Sequence, residues 1–184
     1  ESPLGLERED ASFGIGLTFQ ESMRQTVTHD YTLHNGKQAV IKEAANEMRL
    51  SFANAEGSPI QIIARAYNDG VAFKYLFPDS SKEEKTILTE LTGFQIPENS
   101  IATMMPYDDP TMYTPAYENY YDTFAAGASS PMEAGWAFPA LFKINEGESW
   151  ALLTESGLTP SYCGTRLAQD APEGLYKVRF PHPE

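Results

Sequence analysis

This chain is poor in thiols, in positive charge, in long apolar runs and in helix signals, and each shortage excludes something. Cys163 has no second thiol to pair with, so no intrachain disulfide forms and the fold must be held by its core. A lone thiol is compatible with cytoplasm and periplasm alike. No stretch approaches the roughly 20 consecutive apolar residues that cross a bilayer, and no basic-then-apolar leader opens the chain, though a cleaved leader would leave none. Only 13 Lys and Arg stand against 26 Asp and Glu, giving a net charge of -13. Such a field repels phosphate backbones and anionic membranes over about a Debye length, so neither nucleic acid nor membrane is expected as a partner.

What is present is enough to fold. Hydrophobic residues make up 41% of the chain and aromatics 12%, far from the balance that leaves chains disordered. At 184 residues, one domain spanning residues 1–184 is expected, burying roughly 70% of the surface its unfolded chain exposes.

Period-two alternation and short β-branched or aromatic runs mark strands. Thr26 to Leu33 (TVTHDYTL) sets Val27, His29, Tyr31 and Leu33 on one face and Thr26, Thr28, Asp30 and Thr32 on the other. Asn35-Gly36 follows, a strong hairpin signal because a type I′ turn needs φ > 0 at both centres. Ala44 to Phe52 and Ile60 to Tyr67 read as strands. Asn68-Asp69-Gly70 then turns the chain into Val71 to Phe77. Thr86 to Ile96, Ala140 to Ile144, Ser149 to Thr154 and Tyr176 to Phe180 complete the strand candidates. Strands this closely spaced, joined by Gly, Asn and Pro turns, predict an all-β antiparallel sandwich rather than an α/β fold.

Met104 to Pro139 interrupts the rhythm with five prolines, and Tyr107, Tyr113, Tyr117, Tyr120, Tyr121, Phe124, Trp136 and Phe138 crowd between them. A loop of that length in a compact domain is usually functional or covers another surface. Tyrosines and Trp136 beside carboxylates and amides suit a sugar, whose apolar ring face stacks while its hydroxyls bond to planar polar groups. Packing against a neighbouring domain is the competing reading.

Chemistry-bearing groups are sparse. Glycoside hydrolysis commonly uses two carboxyl groups, and Asp108-Asp109 is the tempting pair, yet adjacent acids in a Pro-flanked turn serve equally as turn formers. His29, His34 and His182 lie at no metal-ligand spacing and read as structural or exposed. Neither a phosphate loop nor a GxSxG elbow is present, and Cys163 has no local activating partner. One carboxylate stands out by position: Glu155 directly follows the apolar run Trp150 to Leu153 and heads a Ser-Gly loop. Hard cations such as Ca²⁺ favour oxygen ligands of this kind.

Ser2-Pro3-Leu4-Gly5-Leu6, the block Ala64 to Tyr75 (ARAYNDGVAFKY), and Gly135 to Phe142 followed by Trp150 to Gly157 resemble, in that order, the N-terminal domain of glycoside hydrolase family 97. The resemblance spans nearly the whole chain. It implies a β-super-sandwich related to galactose mutarotase, truncated here at both ends, and followed in the full enzyme by a catalytic (β/α)8 barrel. The barrel carries the residues that cleave α-glucosidic or α-galactosidic bonds, so no catalytic residue is expected in this chain. The family's Ca²⁺ is bound mainly by barrel glutamates, with one glutamate from the N-terminal domain, and Glu155 in LLTESGL looks like that ligand. The implied partners are the protein's own barrel and an α-linked oligosaccharide, in a periplasmic or secreted enzyme. Two alternatives stand beside this one: a free-standing carbohydrate-binding module, and a mutarotase-like epimerase, which needs a converging acid and base.

Overall fold

The computed structural model describes residues 1–36, 38–78, 83–108 and 119–181. Fourteen strands are placed there: β1 Leu6–Arg8, β2 Ala11–Ser12, β3 Thr18–Thr32, β4 Val40–Ala53, β5 Pro59–Ala66, β6 Val71–Leu76, β7 Ile87–Glu90, β8 Gly93–Gln95, β9 Ile101–Pro106, β10 Asp122–Ala125, β11 Trp136–Ile144, β12 Ser149–Leu153, β13 Arg166–Leu167 and β14 Leu175–Arg179. Helix is confined to two single 3₁₀ turns, Asn145–Gly147 and Pro172–Gly174. The all-β expectation holds, and every registered strand pair is antiparallel. The chain forms two compact units, one from residues 1–8 and 87–184, the other from residues 9–86.

In the first unit a seven-stranded sheet runs β10-β9-β11-β13-β14-β8, with β12 paired to β11. Alternation along β9 and β11 buries both faces. Ala102, Met104, Trp136, Ala140 and Phe142 join Leu167 and Tyr176 in the main core, while Met105, Tyr107, Ala134 and Ala137 form a smaller cluster. Phe124 meets Trp136 edge-on at 4.7 Å, and Phe142 lies 5.0 Å from Tyr176. The Tyr176 hydroxyl accepts from Gly127 N at 2.8 Å, so its polar end is satisfied at the edge of the core.

The stretch expected as one strand from Thr86 to Ile96 is two. β7 pairs with β1, and β8 pairs with β14. The chain changes partner at Leu91-Thr92, where Leu91 N donates to Gly5 O and Thr92 O accepts from Val178 N. The segment expected as a loop from Met104 to Pro139 holds the end of β9, all of β10 and the start of β11. Its prolines masked the alternation. Pro139 offers no N–H to the ladder, and the β9–β11 register shifts between Ala137 and Leu141.

The second unit is built on the sheet β3-β4-β5-β6. β3 starts at Thr18, eight residues before the expected Thr26. That early half is exposed almost residue by residue, so no alternation between core and water marks it. The β3–β4 connection is a hairpin, as expected, but a long one. Leu33 N donates to Ala39 O at 2.7 Å, and Gly36 takes φ 127 while Asn35 stays outside the left-handed region, so no type I′ turn forms. Asn68-Asp69-Gly70 behaves as read: Tyr67 N donates to Gly70 O at 2.8 Å and β5 returns as β6.

Candidate functional site

Glu155 lies two residues beyond the end of β12, where the β11–β12 ladder stops at Leu153 opposite Ala140. Its carboxylate is held by a single residue ten positions on. Thr165 N donates to Oε2 at 2.9 Å and to Oε1 at 3.2 Å, and the Thr165 hydroxyl also donates to Oε1. Thr165 is buried, next to β13 and its fully buried Leu167, whereas Glu155 is half-buried. Oε1 takes two donors and Oε2 one, so a carboxylate with about four acceptor positions keeps capacity for a further electrophile.

The intervening loop has its own fastenings. Thr159 and Tyr162 form an isolated bridge, the Tyr162 hydroxyl donates to Glu90 Oε2 at 2.8 Å, and the Tyr162 ring meets Phe180 edge-on at 5.7 Å. Burial pushes the Tyr162 phenol well above its usual range, and the Glu90 carboxylate adds to the shift, so Tyr162 stays a neutral donor. Desolvation also raises the Cys163 thiol, helped by Glu155 and Glu90, which disfavours the thiolate and agrees with reading Cys163 as unactivated. Nothing in the sequence pointed to Thr165, Tyr162 or Glu90. A donor ten residues from its acceptor follows no period.

Among the described residues no group of three or more His, Cys, Asp or Glu converges as a metal site. Ca²⁺ takes six to eight oxygens, more than the single Glu155 carboxylate brings. The other candidates separate. Asp108 accepts from the Asn119 amide, and Asp109 lies outside the described residues, as do Tyr113, Tyr117 and His182. Trp136 is fully buried on the inward face of β11, which removes it from sugar contact and corrects that expectation. Phe124 and Phe138 pack on the same core, and Tyr107 is buried in the smaller cluster. Tyr120, 90% exposed, and Tyr121 remain at the surface. His34 is exposed, and His29 faces Arg65 at 3.1 Å.

Glu155 is thus a clasped carboxylate at a strand end of an antiparallel all-β chain. The family described as "Glycosyl-hydrolase 97 N-terminal" matches residues 1–183, and the chain belongs to that family. A probable retaining alpha-galactosidase of Streptomyces bingchenggensis is 28% identical over 177 residues, 96% of this chain and 26% of that protein. The crystal structure of a beta-arabinopyranosidase superposes with a TM-score of 0.93 at 29% identity, covering all of this chain and 30% of the other. A glycoside hydrolase family 97 enzyme from Pseudoalteromonas, solved with acarbose, superposes over 97% of this chain and 26% of its own, with a TM-score of 0.79 at 22% identity. The chain therefore spans between a quarter and a third of the length of these relatives, and its fold is that of the family's N-terminal β-sandwich domain.

Proposed function

We propose that this chain is the non-catalytic N-terminal domain of a calcium-dependent glycoside hydrolase acting on α-glucosides or α-galactosides. It packs on the catalytic barrel of that enzyme and supplies Glu155 as one calcium ligand. The observation that carries this reading is the clasped, half-buried Glu155 carboxylate at the end of β12. The same strand turns Trp150 and Leu152 outward, each 59% exposed, so an apolar surface for a neighbouring domain lies beside the carboxylate. The relatives named as an alpha-galactosidase and crystallised with acarbose favour α-linked substrates. Bound calcium would act there as a fixed charge that orients oxygen ligands. A calcium-dependent enzyme of this kind suits the periplasm or the cell exterior, where calcium is plentiful.

Glycoside hydrolysis needs two carboxyl groups flanking the scissile bond, and in the proposed full-length enzyme that pair belongs to the barrel. The isolated chain is therefore expected to hydrolyse neither nitrophenyl α-glucosides nor α-galactosides. Calorimetric titration of it with those sugars and with calcium is expected to give no binding in the millimolar range. Sugar binding at millimolar or tighter affinity would contradict this reading and establish a free-standing carbohydrate-binding module.

A further inference from the structure

We infer that Thr165 is the positioning residue that sets the Glu155 carboxylate for calcium, an inference that rests on Glu155 being a calcium ligand. A glutamate beginning a loop has three rotatable side-chain bonds, and fixing it costs rotamer entropy. Thr165 offsets that cost with two donors of different kinds. Its backbone N–H reaches both oxygens, at 2.9 and 3.2 Å, and its hydroxyl adds a second donor to Oε1. One residue thus fixes both the position and the plane of the carboxylate.

The donors themselves are anchored. Thr165 is 9% exposed and directly precedes β13, whose Arg166 and Leu167 pair with Arg179 and Val178 of β14. Residues 156–164 are fastened independently by the Tyr162 bond to Glu90 and the Tyr162 ring contact with Phe180. The clasp is therefore not needed simply to close the loop. Hydrogen bonds that orient a metal-ligating carboxylate commonly contribute 10- to 100-fold in metal affinity or activity. The backbone N–H survives every side-chain substitution, so loss of the hydroxyl alone should sit at the lower end of that range.

The test uses the full-length parent enzyme carrying Thr165→Val, Thr165→Ser or Glu155→Gln. Calcium affinity is measured by calorimetry and by terbium luminescence, and melting temperature is measured in chelator. Thr165→Val is expected to weaken calcium binding about tenfold, with Thr165→Ser near wild type and the calcium-free melting temperature of Thr165→Val little changed. If Glu155→Gln abolishes calcium binding while Thr165→Val leaves it intact, the positioning role is overturned and the ligand reading stands. If Glu155→Gln also leaves calcium affinity at the wild-type level, the ligand reading itself fails, and the positioning role with it. A loss of affinity in Thr165→Val that Thr165→Ser does not rescue, accompanied by a matching fall in calcium-free melting temperature, makes the clasp purely structural and overturns the proposal.

Discussion

Glu47 is 4% exposed in the middle of the β3-β4-β5-β6 sheet, and it stays ionised because its neighbours across both strands are donors. The ladder sets Gln25, Glu47 and Arg65 in one cross-strand row. Arg65 Nε donates to Glu47 Oε2 at 2.7 Å and the Gln25 amide donates to Oε1 at 2.8 Å. Arg65 also reaches His29 Nε2 at 3.1 Å, and since a guanidinium cannot accept, Nε2 is the unprotonated acceptor. The Arg65 and Gln25 hydrogen bonds hold the Glu47 carboxyl below its ordinary value despite burial. A lowered folded-state value means this contribution is fully present above the unfolded glutamate value of about 4.3, and is lost as pH falls through the folded one. Glu47→Gln is expected to cost about 2 kcal/mol near neutrality. Urea unfolding from pH 7 down to pH 3 is expected to show a flatter acid slope for Glu47→Gln than for wild type, the two converging at the acid end.

At the scale of elements, the ladder depends on places where two backbones nearly touch. Gly135, just before β11, has φ 92, and a Cβ there would overlap the Leu167 carbonyl and the Ala168 backbone. Its carbonyl accepts from Tyr107 N at 2.9 Å and from the Ser130 hydroxyl at 2.6 Å, so it cannot swing away without breaking both bonds. Gly135→Ala therefore combines left-handed strain with a backbone clash and is expected to lower stability by on the order of 3 kcal/mol, read as a reduced denaturant midpoint. Elements of this kind also mark what the sequence could tell. β4, β5, β6 and β12 were legible because each alternates or forms a compact apolar run between turn residues. β3 from Thr18 to Gln25 was not, because both its faces meet water and no pattern of burial is imposed on it. β10 and the start of β11 were hidden by prolines and aromatics that looked like loop composition, although Phe124 and Trp136 are core residues there. The place of Glu155 just beyond an apolar strand was legible. The Thr165 clasp was not, because it depends on how two distant strand ends meet.

At the scale of the whole molecule, the net charge is -13, and Asp10, Asp30, Glu47 and Glu83 are among the acids tied to cations. Exposed pairs such as Lys42 with Asp30 contribute little. The conspicuous block around ARAYNDGVAFKY has a structural use in this chain: Arg65 neutralises Glu47, and Asn68 to Gly70 make the β5–β6 turn. Function in the proposed role concentrates in one carboxylate, which acts only within the longer protein. The most direct measurement is calcium titration of the full-length parent enzyme with and without Glu155→Gln, followed by α-galactoside and α-glucoside turnover at saturating and at limiting calcium. A calcium-ligating Glu155 predicts at least a tenfold loss of calcium affinity and a matching loss of turnover at limiting calcium. Wild-type affinity and wild-type turnover in Glu155→Gln would contradict it.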